Sequence, residues 1–334
     1  LTRSGGLHYD TKWEDDKYSM NMNYKVGSIN ITGTNSSLNQ NNLPAGIINS
    51  NSGQAFDKYM FRQKLDGTFL MKLDTTSDLK ISVDGTLKNS RNDTRYLASS
   101  MRGNGVALNA GTRSLTNDAD ERLFNTTALW TKKLKKKGRT ISLSLGQQFN
   151  EEDASGYLNA ENSYFNTQGM LDSIQLIDQY KTNLTRSSGL NSNLAYTEPL
   201  SKTFSVILNY GLNLNKSTAE RQSFNQSIPG KYDVIDKQYS NDFELEQTSN
   251  QVGAIFNYRK NKNVINFGTR VSAVDFKQTD LNTSKEYNRN FMNWLPQASY
   301  QYNFSKQKTF SFRYNGNSTQ PNLNQIQPIR INTD

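Results

Sequence analysis

The 334-residue chain contains no cysteine and a single histidine, His8. Disulfides, thiolate metal sites and cysteine nucleophiles are therefore excluded. Zinc sites built on several histidines go with them, and a serine–histidine–aspartate triad has one improbable base. Apolar residues make up only 34% of the chain. No run of 18 apolar residues exists, so no helix spans a membrane, although a membrane-spanning strand leaves a much weaker trace. Glycine and proline are sparse, 21 and 6 residues, while Tyr, Phe and Trp number 17, 16 and 3. That aromatic content argues against disorder despite the low hydrophobicity. The first residues, Leu1 to Gly6, lack both Met and an apolar signal core, and the last, Arg330 to Asp334, break off in mid-pattern. The expectation is an internal fragment of a longer protein.

What the sequence does contain is strict alternation. Phe204, Val206, Leu208, Tyr210, Leu212 and Leu214 alternate with mostly polar or glycine residues. The same period of two recurs at Tyr18–Val26, Leu79–Leu87, Ile141–Leu145, Val252–Tyr258, Trp294–Phe304 and Phe310–Tyr314. A period of two is a strand with one apolar and one wet face. Short polar turns near 14–16, 75–78, 135–138, 198–201, 260–263 and 305–307 join these strands in pairs, about twelve strands in six hairpins. Between pairs lie polar segments at 29–60, 91–120, 151–186, 217–247 and 277–290, read as long loops.

Short turns on one side and long loops on the other mark an outer-membrane barrel. A charge facing lipid at mid-membrane costs about 2–4 kcal/mol, and the apolar faces carry none. The polar faces carry Lys25, Lys80, Asp84 and Arg313. Aromatics gather near strand ends as an interfacial girdle does. The fold class expected is all-β: an antiparallel up-and-down transmembrane β-barrel, present in part, with short periplasmic turns. Residues 1–334 form one barrel domain, located in the outer membrane of a Gram-negative cell. Leu208, Tyr210, Leu212 and Phe256 are expected to face lipid. Soluble sandwiches and solenoids share the alternation, but lack the loop asymmetry and show no fixed repeat here.

The segment Asn290-Phe291-Met292-Asn293-Trp294-Leu295-Pro296, then Tyr300-x-Tyr302-x-Phe304-Ser305-Lys306, Phe312-Arg313-Tyr314 and Gln320-Pro321-Asn322 through Gln325-Ile326-Gln327-Pro328, resembles the Bacteroidetes outer-membrane β-barrel family related to TonB-dependent receptors. Ile326 stands where leucine is commoner. Gly6-Leu7-x-Tyr9-x-x-x-Trp13 and the basic stretch Lys132–Thr140 are similar to other hairpins of that barrel. The resemblance implies a signal peptide, a plug and a barrel of about 22 strands, of which the plug and the remaining strands are absent here. It also implies ligand uptake energised by a TonB-type complex through the missing N-terminal part.

Other motifs carry less. The basic run at 132–139 reads as a solvated hairpin turn rather than a nucleic-acid site, and no nucleic-acid partner is expected. Gly103-Asn104-Gly105 lacks the strand and helix of a phosphate cradle. The acidic runs Asp118–Glu121 and Glu151–Asp153 do not match calcium-loop spacing, so no metal or cofactor is expected. Tyr157, Tyr164, Phe165, Tyr232 and Tyr239 lie among Asn, Gln and Ser in the long segments. Rings with adaptable polar neighbours suit capture of carbohydrate, peptide or a metal chelate. The function expected is receptor-like uptake without chemistry on the ligand, in contact with outer-membrane lipid. The alternatives are an outer-membrane binding, adhesion or assembly protein that does not transport, and a secreted β-rich enzyme, for which no usable catalytic constellation is visible.

Overall fold

Thirteen antiparallel strands form a single sheet in which every strand but one is hydrogen-bonded to its sequence neighbours in turn, the exception being the short ninth strand. In this computed structural model the described residues are 1–44, 46–319, 321, 322 and 325. The strands are β1 (Thr2–Trp13), β2 (Tyr18–Leu43), β3 (Gly46–Asp74), β4 (Ser77–Arg102), β5 (Ala107–Lys133), β6 (Thr140–Phe165) and β7 (Leu171–Pro199). Then come β8 (Phe204–Ile228), β9 (Lys231–Ile235), β10 (Asn241–Lys260), β11 (Asn263–Asp280), β12 (Lys285–Asn303) and β13 (Thr309–Asn315). The short β9 folds back on the top of β8, so that β8 pairs with β10 lower down. Most of the Gln320–Pro328 motif lies outside the described residues.

Residues opposite one another in an antiparallel ladder share a face, so the register carries one face across the whole sheet. Leu208 faces Ala254 and Tyr196. Phe256 faces Phe267, Phe267 faces Ala298, and Ala298 faces Tyr314. In the other direction Tyr196 faces Ile141, Leu143 faces Trp130, and Trp130 faces Leu79. Leu79 faces Met71, and Met71 faces Tyr18. All seven alternating sets thus fall on one face, although nothing in the separate segments required it. On β8 this band runs from Phe204 to Leu214 before the first charge, Lys216. Such a height suits a tilted strand crossing a bilayer in about 9–11 residues. The band stays exposed, with Leu208 49% and Trp294 74% accessible, as a lipid-facing surface must be.

The opposite face is concave. A cavity of about 420 Å³ is lined jointly by β7, β8, β10, β11, β12 and β13. Strands lie about 4.8 Å apart, so β7 and β13 can line one small cavity only if the sheet curls toward this face.

The five polar segments are not loops. They are the upper halves of the strands: β2 ends at Leu43 and β3 begins at Gly46, and the hairpin between them replaces the loop expected over 29–60. At about 3.3 Å per residue, the 29-residue strands β3 and β7 reach roughly 95 Å, far beyond any bilayer. The polar alternation misled because neither face of these extensions meets lipid, so no apolar stripe marks them. Turns are short at both ends of the sheet; strand height above the band makes the asymmetry.

The extensions hold their own core on the concave face. Ala219, Phe243, Leu245, Val274 and Phe276 cluster there, each at most 5% exposed. Phe276 meets Phe291 edge to face at 5.9 Å. Full burial of such side chains stabilises by about 1.5–3 kcal/mol each, which lets strands stand upright without lipid.

Candidate functional site

The concave face at membrane height is amide-rich. Alternation puts Asn209, Asn213, Asn191, Asn193, Gln251 and Arg270 on this side of β7, β8, β10 and β11, where they line the 420 Å³ cavity. Across the ladder, Asn209 faces Gly253 and Gly253 faces Arg270. A Cβ at Gly253 would lie 2.6 Å from Arg270 Cγ, so the missing side chain is what lets the arginine stem lie across β10. Asn209 Oδ1 and Arg270 Nε are buried with no hydrogen-bond partner. One is an acceptor and the other a donor, set on either side of a glycine. Buried polar atoms in native proteins are nearly always paired. The open cavity beside them, lined by Asn191, Asn193, Asn213 and Gln251, offers a hydroxyl- or carboxylate-bearing solute amide donors and acceptors.

Of the five aromatic residues expected in binding, the structure brings two together. Tyr157 and Tyr232 lie with ring centroids 5.3 Å apart, and Tyr180 stands 5.1 Å from Tyr157. Phe224 stacks on Tyr180 at 6.5 Å. This four-ring patch is on the convex side, above the lipid band. Tyr232 Oη donates to Asp178 Oδ1 at 2.8 Å and accepts from Gln226 Nε2 at 2.8 Å. Burial and then the Asp178 carboxylate push its pKa up. Tyr180 and Phe224 were missed because their segments read as loops, where a period of two carries no face.

The other three are separate. Tyr164 is on the concave side near the top, its hydroxyl 3.4 Å from Gln175. Phe165 ends β6 opposite Leu171. Tyr239 sits in the turn after β9, over Lys181 at 6.0 Å. It lines a second concave cavity of about 410 Å³ with Lys181, Asn183, Arg221 and Ala154. Burial lowers the Lys181 pKa to about 8, against the opposing pull of Asp236. Arg221 Nε donates to Asn183 Oδ1 at 2.9 Å.

The acidic runs are split by the pleat. Glu151 faces outward between Arg122 and Arg186, at 3.1 and 2.7 Å. Glu121 faces inward and pairs with Lys88. Among the described residues no group of three or more Asp, Glu or His converges as a metal site.

No curated protein matches the sequence. Among solved structures, the chain is similar to the outer membrane protease OmpT of Escherichia coli, at 11% identity over 87% of this chain and 96% of that one, with a TM-score of 0.27. It is also similar to the ferric-catecholate import receptor Fiu of Escherichia coli K12, at 10% identity over 93% and 67%, TM-score 0.28. The ferric enterobactin receptor PfeA of Pseudomonas aeruginosa gives 6% identity over 93% and 74%, TM-score 0.13. The protease corrects one expectation: that the chain is not an enzyme does not stand, since an enzyme is among the proteins it resembles. That exclusion rested on composition, with no cysteine and one histidine, and carboxylate pairs could not be singled out along the sequence. The ladders do set carboxylates side by side, Asp66 opposite Asp84, Asp57 opposite Asp93 and Glu121 opposite Glu152. Residues 132–334 match the model of the outer membrane protein beta-barrel family. With its single up-and-down sheet, continuous apolar band and wet concave face, the chain belongs to that outer-membrane family.

Proposed function

We propose that the chain is the wall of a receptor-like uptake barrel of the Bacteroidetes TonB-dependent type, with a plug and an energising complex supplied through other parts of the protein. The observation that carries this reading is the amide-lined concave cavity around Asn209 and Arg270. A concave face this dense in amide donors and acceptors suits the passage of a polar ligand along the lumen. Carbohydrate, peptide and metal chelate all present such groups.

The convex patch of Tyr157, Tyr180, Phe224 and Tyr232 supports a second reading, in which the barrel anchors tall hairpins for adhesion or assembly. It faces away from the lumen, so it serves no passage. One experiment separates the two. Cells carrying the full-length protein are offered fluorescent oligosaccharide, peptide and ferric chelate in turn. Uptake predicts accumulation of one probe that collapses when the proton-motive force is dissipated and falls at least tenfold with Arg270→Gln. Surface retention that survives dissipation, and is lost with Tyr232→Ala, would favour anchoring.

A further inference from the structure

The charge of the chain is distributed unevenly around one rim. In an up-and-down sheet alternate connections lie at the same end, so the β1–β2, β3–β4, β5–β6, β7–β8, β10–β11 and β12–β13 turns share one rim. In outer-membrane barrels the end next to the lipid band faces the periplasm and the tall hairpins face outward. The last four of these turns, residues 132–139, 198–203, 259–262 and 304–308, hold twelve Lys and Arg and one carboxylate, Glu198. The first two, residues 12–17 and 72–78, hold three Lys and five Asp and Glu. The net charge of the whole chain is +9, so the excess is concentrated on one arc of the rim.

Little of that excess is neutralised. Lys136 and Arg139 share Glu198 at 2.6 Å each, and Lys132 reaches Asp74 at 2.7 Å. Among the described residues Lys133, Lys135, Lys137, Lys260, Lys306 and Lys308 make no ion pair, and all are exposed. Like charges this crowded repel one another, and a dense anionic surface would offset that.

The position says which surface. Directly above the arc, on the lipid-facing side, stand Trp130, Tyr196, Phe204, Tyr258, Tyr302 and Phe310. Aromatic rings settle at headgroup level, so the lysines lie at or just beyond the phosphates of the inner leaflet. We propose that the rim from β5 to β13 is a binding surface for anionic phospholipid headgroups of the periplasmic leaflet. Long flexible lysine stems suit a fluid surface of phosphates, which needs charge density and no fixed geometry. The β1–β4 arc, with Glu14, Asp15 and Asp16 at its turn, is the part of the rim that repels them.

The test uses the full protein reconstituted in phosphatidylcholine bilayers containing spin-labelled phosphatidylglycerol or spin-labelled phosphatidylcholine. Native protein should prefer the anionic lipid several-fold, at about fivefold in affinity for each lysine fully engaged at the surface, and 0.5 M salt should suppress the preference. Replacing Lys133, Lys135, Lys137, Lys260, Lys306 and Lys308 together by Gln should bring the preference close to one, while a control with Lys237→Gln and Lys285→Gln at the opposite end leaves it unchanged. Retained preference in the sixfold variant would overturn the proposal. So would its loss in the control, whose lysines stand well above the lipid band, because the preference would then not arise at this rim. Exposed lysines in solvated turns bear no part of the core, and an unchanged urea midpoint confirms that both variants fold.

Discussion

Phe256 of β10 and Phe267 of β11 lie directly opposite in the ladder, with rings stacked 5.3 Å apart on the lipid-facing side. Phe204 stacks on Phe256 in turn at 5.8 Å. Each such cross-strand contact adds a fraction of a kcal/mol and more for aromatic pairs. Their larger effect is on register. A slip of one residue would turn Phe256 into the wet cavity and Asn257 into lipid, so the row fixes which residues see the bilayer.

Leu208 and Asn209 test that assignment most directly. They are adjacent in β8, yet Leu208 belongs to the lipid band and Asn209 to the concave cavity. Leu208→Arg should cost about 2–4 kcal/mol at mid-membrane depth and block insertion into lipid vesicles. Asn209→Arg should insert at close to the native yield. Insertion is read from the shift in gel mobility on heating, and equal yields for the two variants would refute the membrane assignment.

The lower halves of β2, β4, β6, β8, β10, β12 and β13 were legible because lipid imposes a rule the sequence must obey: Val206, Leu208 and Tyr210 on one side, no charge among them. The upper halves obey no such rule. Segments such as Asn30–Tyr59 carry polar residues on both faces, and only pairing with neighbouring strands, through matches like Asn35 with Gln54, shows them to be strands. The buried Leu245 and Phe243 went unnoticed for the same reason. Their burial depends on the curl of the sheet, which no local pattern encodes. Of the aromatic residues chosen from the sequence, Tyr157 and Tyr232 meet, but their partners Tyr180 and Phe224 come from register alone. Asn209 and Arg270 are about sixty residues apart in the chain, and only the β8–β10–β11 ladders bring them to either side of one glycine.

Gly253 gives a test of that cavity. A methyl group there would meet Arg270 Cγ at 2.6 Å and the Thr269 carbonyl oxygen at 3.1 Å. Gly211, which lines the same cavity, has nothing closer than 3.6 Å. Gly253→Ala should therefore displace the arginine and cost about 1–3 kcal/mol, as overpacking does. Gly211→Ala should be neutral or slightly stabilising, since alanine loses less backbone entropy on folding. Urea titrations of the two variants in vesicles measure the difference.

Lys181 sets a pH dependence in the upper cavity. Its folded-state pKa of about 8 lies below the ordinary lysine value because burial disfavours the charge. Below pH 8 both folded and unfolded chains carry the proton, and the folded state bears the full desolvation cost. Between pH 8 and about 10.5 the folded chain has released it and the unfolded chain has not, so stability rises with pH across that window. The urea midpoint of the native protein should climb relative to Lys181→Met from pH 8 to 10, and the two should run parallel from pH 6 to 7.5. A constant difference over the whole range would show that Lys181 titrates normally.

The two outer strands of the sheet lead to the last prediction. Among the described residues β1 is hydrogen-bonded only to β2, and β13 only to β12. Each therefore offers a row of unpaired N–H and C=O groups, which lipid does not tolerate and which templates pairing with another chain. If these twelve residues and seven residues do not close on each other, further strands or a second copy must cover them. The absence of cysteine makes the test clean. His8→Cys with Asn23→Cys joins two register partners of β1 and β2, and a short bis-maleimide should link them within one chain. His8→Cys with Arg313→Cys joins the two edges, and should give links between chains or none, with the isolated chain running as oligomers in detergent. An efficient link within the monomer for the second pair would mean that β1 and β13 do meet. The chain would then be a small closed barrel, and the reading of it as part of a larger plugged receptor would fail.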